Sequence, residues 1–531
     1  MGQSSSAEQV SPEQREAESI AASTGALSNL QKDFSLLSDP QTHSIPLHSL
    51  QKCFECSIEG STNEESTVPK EFPVLMSHLG SSIVDLFFLS EKGGISWIEF
   101  LKSYIKCSGR TVSSASLNNL LRLFAIINVK AGTPEKLQVV SGEDDGKISG
   151  FLLPVDIQML LSMCWIMWWD SQKLKASSSL RDCGLPDVTH LVLSAIDSCA
   201  KADKKLDLWE NNILDLDIQL PAAKIVMWAL KTVPSLADCF GKFIHARLSY
   251  VVAHKEKLDQ ADLFLHDISA KEMSVGHLLS SGRAWAVSLT LRGTLNDEIS
   301  KACFLSAEGE IDAYLLYRSS LHGKGLNRFW SNVEGYNGPL LILISAQEAN
   351  NDARRWVIGA LIHQGLENHD SFYGTSGSLY SISPVFHVFT PSGKEKNFVY
   401  SHLHATVKYE AYPKPVGLAF GGSAGNERIF MDEDFAKVTV RHHACDKTYH
   451  HGPLYPNQGF LPVEASVIDV EVLGLGGKRA KEIQLSYKKR EELFTAQRRK
   501  VDLTTLNWED SPERMMMDMV SDPNRVRRED R

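Results

Sequence analysis

This sequence lacks the marks of a spanning, secreted or nucleic-acid-binding protein. Within its most apolar stretch, VDIQMLLSMCWIMWWD, the run from Ile157 to Trp169 is about 13 residues where a spanning helix needs about 20. It reads as a buried helix, with a Trp-rich interfacial helix as the alternative. Cysteine is sparse and odd in number: nine residues, spread from Cys53 to Cys445 with no framework spacing. That excludes a disulfide scaffold and points to a reducing compartment. Positive charge is short as well. The net charge of −10 implies no broad basic surface, so nucleic acid is not expected as a partner. The N-terminus has no basic, then apolar, run, so no secretory signal is legible there.

What the N-terminus does have is MGQSSS. With Met1 removed, Gly2 and Ser6 match the pattern read by N-myristoyltransferases; the bland alternative is a Ser-rich polar tail. One myristoyl chain binds bilayers with K on the order of 10⁴ M⁻¹, too weakly to hold a protein there alone. No second signal is adjacent: the first cysteine is Cys53, and Glu8, Glu13, Glu16 and Glu18 outnumber Arg15. An acylated chain would therefore need a protein partner or a distant surface as its second anchor.

Residues 1–30 read as a polar tail, disordered or a frayed helix, and residues 31–155 as helices joined by short loops. Two loops resemble EF-hands. In FLSEKGGISWIE, Gly93 takes position six, Ile95 position eight and Glu99 position twelve; in SGEDDGKISGFL, Gly146 takes position six and Ile148 position eight. SDPQTHSIPLHS is a weaker echo, with Ile45 at position eight. Calcium needs early carboxylates and a bidentate Glu at twelve. The first loop has Lys92 at position five, and the second has Leu152 at position twelve. Each keeps half a site, so the expectation is a scaffold without its ion, with a weak calcium-responsive scaffold as an alternative. Residues 156–280 read as a helical connecting region broken by Pro221 and Pro234.

After residue 281 short β-rich runs separated by Gly, Pro and Asn take over, among them LLILIS (340–345), WVIGALI (356–362) and VIDVEVL (467–473), with one short helix bracketed by Gly323 and Gly335. The pattern predicts an antiparallel sandwich. The strings YLLYRSSLHGKGLNRFW, GPLLILIS, SFYGTSGSLYSISP, GLAFGG, RIFMDEDF and DVEVLGLGG, in that order, resemble the TLDc domain. His322, Gly323, Phe372, Tyr373, Gly374, Gly421, Gly422 and Asp432 fall where that family has its typical residues. With Met-Gly and the EF-hand-like region, the whole chain resembles the mTOR-associated, lysosomal branch of TLDc proteins.

The resemblance implies an α+β protein, with a helical EF-hand-like N-terminal half, a TLDc β-sandwich over 281–477 with flanking helices, and a C-terminal helical arm over 478–531. It also implies association with the V-ATPase, protection from oxidative stress, a link to TOR pathway components, and a myristoylated N-terminus on lysosomal, vacuolar or other endomembranes. The chain departs from the family where many members carry a Glu after Phe-Tyr-Gly: here stand Thr375, Ser376, Gly377 and Ser378. The aromatic residue usual in the last strand is here Leu473.

Chemistry is thin. VRHHACDKTYHHG gathers His442, His443, Cys445, Asp446, His450 and His451, residue types that bind zinc. Adjacent histidines on a strand face opposite ways, however, and no second cluster is evident. A stress-protective metal protein or enzyme built on loop 441–451 is therefore the alternative reading. CFEC (53–56) is a lone pair of cysteines on a helix, and GTSGS lacks the last Gly of a nucleophile elbow. No catalytic residue, metal site or cofactor is assigned. After Gly477 the pattern is helical and basic. Ile483, Tyr487, Phe494 and Val501 make a narrow stripe; Ile483, Tyr487, Lys488, Arg490, Phe494 and Arg498 are the expected partner-binding surface, against the alternative of a solvated helix. SPERMMMDMV reads as a last short helix. The expectation is a non-enzymatic, cytoplasmic, peripheral-membrane regulator.

Overall fold

The computed structural model describes residues 11–23, 25–59, 69–90, 93–108, 112–139, 148–175, 184–200, 208–209, 216–253, 265–267, 278–305, 314–348, 354–403, 414–442 and 447–505. Gly2, Lys92, residues 141–147 and the SPERMMMDMV segment lie outside them.

Among the described residues the helical half repeats one device four times: a helix, then a short strand that leads into a second helix. The first two units are α1 (Leu27–Leu37), β1 (Ile45–Pro46), α2 (Leu47–Phe54), then α3 (Leu79–Phe87), β2 (Gly94–Ile95), α4 (Trp97–Ser108). The next two are α5 (Ser113–Lys130), β3 (Ile148–Leu152), α6 (Pro154–Lys175), then α7 (Thr189–Cys199), β4 (Leu220–Pro221), α8 (Ala222–Thr232). The units pair through their strands, Ile45 opposite Ile95 and Leu152 opposite Leu220, all antiparallel. These four side chains are buried, so each short ladder is also a hydrophobic pin. The fourth unit lies in what the sequence presents as a connecting region. In the third unit Leu152, not Ile148, takes the central place; Ile148 pairs with Val139 instead.

Glu99 closes a capping box. Its Oε2 accepts from the Ser96 backbone N and from Ser96 Oγ, both at 2.7 Å, and its own N–H donates to Ser96 Oγ at 3.4 Å. The carboxylate that would ligate an ion at position twelve thus holds the start of α4.

Residues 157–169 are all buried, as the apolar run predicts. In α6, Trp165 stacks on Trp169 (5.9 Å) and meets Trp285 edge-on (5.5 Å). Helix α9 (Cys239–Ala253) runs among the units. Phe240 packs on Phe87 at 5.1 Å, and His245 Nδ1 lies 3.0 Å from the Tyr104 hydroxyl. Arg247, fully buried, pairs with Asp170 and donates from Nη2 to Cys56 Sγ at 2.9 Å. Removing one partner of such a pair costs about 3–5 kcal/mol. Helix α10 (Ser281–Thr290), capped by Ser280, joins the halves: Trp285 packs on Trp165, while Arg283 Nη2 donates to Ser383 Oγ at 3.2 Å and Thr290 Oγ1 lies 3.1 Å from the Tyr380 hydroxyl.

The sheet runs from β5 (Leu315–Arg318), past α11 (Leu326–Val333), through β6 (Leu340–Glu348), β7 (Arg355–Ile362), β8 (His369–Tyr373), β9 (Gly377–Ser383), β10 (His387–Phe389), β11 (Val399–His402), β12 (Gly417–Ser423), β13 (Asn426–Asp432), β14 (Lys437–Val440) and β15 (Val463–Gly474). Every pairing is antiparallel. The order is β8-β11-β12-β13-β14-β15-β6-β7-β9-β10, with β5 also on β15. The layers are joined: one hydrogen-bonded path folds over, and Leu418, Phe420, Ile429 and Met431 share a core with Ile342, Ile344, Ile358 and Ala360.

The other face of β6, β7, β9 and β15 is covered too. Leu341, Leu343, Val357, Leu361, Ile382 and Leu473 belong to the core of the helical half. This explains the unbroken apolar LLILIS run, because a strand buried on both faces has no polar side to alternate with. The long strand β15 shows the change within itself. Its start alternates, with Glu464 and Ser466 exposed, and everything from Asp469 onward is buried.

Candidate functional site

The eight motif positions separate into two structural clusters. Phe372, Tyr373 and Gly374 end β8 and, with Gly421 and Gly422 at the end of β12, gather around Phe398. The Phe372 ring lies 5.4 Å from Tyr400, and the Tyr373 hydroxyl accepts from Glu367 N (2.8 Å) and donates to Glu367 O (2.9 Å). A Cβ on Gly374 would stand 2.8 Å from the Phe398 Cβ. Gly422 has φ +96°, and a Cβ there would meet the Asn426 carbonyl at 2.3 Å, so only glycine closes this hairpin.

The second cluster surrounds Phe435. His322 accepts at Nδ1 from Arg318 N (3.0 Å) and stacks on Tyr317, whose hydroxyl donates to Gly323 O at 2.7 Å. Asp432 Oδ1 accepts from Ala436 N (2.8 Å) and Lys437 N (3.1 Å), closing the β13–β14 turn. The Phe435 ring packs on Tyr317 and Phe329. Both clusters are turn-and-packing devices; in neither does a nucleophile meet a base.

Two acids the sequence did not single out are more deeply engaged. Asp469 and Glu471 stand two apart on β15, as on a solvent face, yet both are buried. Asp469 accepts from the hydroxyls of Ser319 and Ser320. Glu471 pairs with Arg318 at 2.7 Å and accepts from Leu278 N at 3.0 Å, tying the sheet to the segment before α10. The only legible signal was the pair of acids amid VIDVEVLG.

Of the His-rich stretch, residues 443–446 lie outside the described residues. His442 meets the Phe460 ring at 4.8 Å, while His450 and His451 are exposed. Among the described residues no group of three His, Cys, Asp or Glu side chains is placed to hold a metal ion. Cys53 and Cys56 are buried, and burial pushes both thiols up to about 12, away from thiolate chemistry.

The C-terminal helix α12 (Gly477–Thr505) divides in two. Its first turns are fastened to the sheet domain. Ala480 is buried, and Gly476 N donates to the Tyr336 hydroxyl at 2.7 Å. Gln484 Nε2 donates to the carbonyls of Asn332 (2.8 Å) and Glu334 (3.3 Å), and Lys488 Nζ to Asn332 O at 3.2 Å. These cap the end of α11. Tyr487 lies over Gly335, where a Cβ would come within 2.4 Å of its ring, and donates to Glu334 Oε1 at 2.8 Å. That bond pushes the Tyr487 phenol up to about 12. Burial lowers Lys488, and Glu334 partly offsets it.

From Lys489 to Arg498 every residue is exposed. Of the six residues expected to bind a partner, Tyr487 and Lys488 thus hold the arm to its own domain. Ile483 sits at the edge, 41% exposed, and Arg490, Phe494 and Arg498 project, Phe494 being 58% exposed beside Leu493 at 58%.

Residues 295–476 match the family model of the TLDc domain. A stretch of 159 residues is 27% identical to oxidation resistance protein 1 of Xenopus tropicalis; it covers 30% of this chain and 15% of that protein. The family match covers the sheet domain, and the matched stretch is a small part of a much longer relative.

Proposed function

We propose that the chain is a non-enzymatic, stress-related regulator that acts at endolysosomal or vacuolar membranes by binding the V-ATPase through its C-terminal helix. The observation that carries this reading is the form of α12. Three turns are fastened by side-chain bonds to α11, and the continuation is polar, basic and exposed, with Leu493 and Phe494 uncovered. A helix held rigidly at its root and bare beyond it is preorganised for a groove. The name of the matched relative supports the stress connection. The TOR link and acylation of Gly2 belong to the same proposal. Among the described residues no helix is long and apolar enough to cross a membrane, so attachment would rest on the acyl chain, the arm and other surface contacts. The paired helical units act here as an EF-hand-like scaffold, in which Glu99 serves as a cap.

The test is co-isolation from detergent-solubilised endomembranes of the full chain and of a Phe494→Asp/Arg498→Glu variant. Both positions are exposed, so folding is retained. Pump subunits recovered with the first and lost with the second support the reading; equal recovery, or none with either, refutes it.

A further inference from the structure

Among the described residues Leu461 is the most exposed large apolar side chain, at 79%, and its neighbour Phe460, at 73%, is matched only by Val112. They stand on a loop that is built rather than slack. Tyr455 stacks on Trp356 at 5.2 Å, Leu454 is fully buried, and Leu454 N donates to Gln458 Oε1 at 2.7 Å. The loop is thus pinned from beneath, while Leu461 and Phe460, the latter's ring against His442, stay largely exposed.

The loop's own charge is unlike that of the chain. From Lys447 to Val463 there is no Asp or Glu, in a protein of net charge −10. Acids flank it: Asp446 just before it in sequence, Glu348 bonded to Tyr455, Glu427 paired with Arg441 at 3.5 Å and Glu464 paired with Lys437 at 3.6 Å. Contacts join this loop to a second one: Gly452 N donates to His442 O, His450 N to Thr390 O, and Ser392 N to Thr448 O. That second loop, 390–397, brings exposed Lys394 and Lys396 against the single Glu395. The acid-free loop that carries the apolar tip and Lys447 is therefore hydrogen-bonded, through Thr448 and His450, to a loop that carries Lys394 and Lys396.

We infer that this tip is a lipid contact: Phe460 and Leu461 enter the interface of an anionic bilayer while the lysines meet its headgroups. Apolar insertion combined with basic attraction is the combination that holds peripheral surfaces to anionic membranes. The inference rests on the peripheral-membrane part of the proposal above and supplies a membrane contact independent of Gly2.

The test uses full chain made without an acyl group, sedimented with vesicles of phosphatidylcholine alone and with about a quarter phosphatidylserine. The expected result is binding to the anionic vesicles, weakened by salt. Phe460→Ser/Leu461→Ser should lower the partition coefficient about tenfold or more, and Lys394→Glu/Lys447→Glu should abolish the preference for anionic lipid. All these positions are exposed, so an unchanged unfolding temperature serves as the folding control. No sedimentation of the parent chain, or equal sedimentation of the Ser/Ser variant, overturns the inference. So does an outcome in which the tip variants lose only a protein partner in co-isolation. None of these outcomes touches pump recovery through Phe494 and Arg498, so the two readings fail separately.

Discussion

Replacing Gln484 with Ala should loosen the root of the C-terminal helix without unfolding the domain. Gln484 is 2% exposed and donates to two carbonyls, Asn332 O at 2.8 Å and Glu334 O at 3.3 Å. Each hydrogen bond contributes about 1 kcal/mol net. Their loss should cost about 2 kcal/mol and raise the open population of the arm about 30-fold, since 1.4 kcal/mol is tenfold. Ala480 and the Gly476–Tyr336 bond remain, so the first turn stays seated. Amide hydrogen exchange resolved over 478–490 is the assay. The prediction is a loss of protection confined to these residues and to the end of α11. Unchanged protection would show that Gln484 does not fasten the arm. Loss across the whole sheet would show that the arm is integral to the core rather than rooted on it.

Burial pushes the Asp33 carboxyl from 3.8 up to about 7. The folded state therefore takes up a proton that the unfolded chain does not, and stability rises as pH falls from 7 towards 3.8. Asp33→Asn should accordingly stabilise the helical half at pH 8, and its effect at pH 8 minus its effect at pH 4 should be about 4 kcal/mol in urea unfolding. No difference between the two pH values would refute the buried-charge account. His190 has the opposite sign. It is buried between α7 and the sheet, with Asp187 and Arg283 as its charged neighbours, and burial lowers it from 6.5 to about 4. The fold loses stability as pH drops from 6.5 to 4, by up to about 3 kcal/mol; a His190→Phe variant should lose that decline, and an unchanged profile would contradict it. Cys53 and Cys56 should resist an aromatic disulfide reagent until the helical half unfolds, and rapid labelling of the native protein would contradict their burial.

Much of the architecture could be read from the residues because the signals were local. The run from Ile157 to Trp169 is buried, the helix between Gly323 and Gly335 spans Leu326–Val333, and the β-rich strings became strands. What could not be read depends on distant pairing. Nothing local says that Ile45 faces Ile95, or that Leu152 rather than Ile148 takes the central place. The fourth unit was hidden because its strand is only Leu220–Pro221 and the stretch before it, though it holds Asp215 and Asp217, has no Gly to mark a loop. Asp469 and Glu471 alternate with valines as on a wet face; their burial follows from the helical half and β5 covering that face. For the arm, helical spacing placed Tyr487 and Phe494 on one stripe. Only the position of α11 shows that the first is already occupied and the second is not.

The most direct test of the central claim is a photo-crosslinking residue at position 494, with Leu321, exposed on the sheet domain at 65%, as the control site. The account predicts adducts with V-ATPase subunits from position 494 on endomembranes and none from position 321. Adducts confined to the chain itself, or equal from both sites, would contradict it.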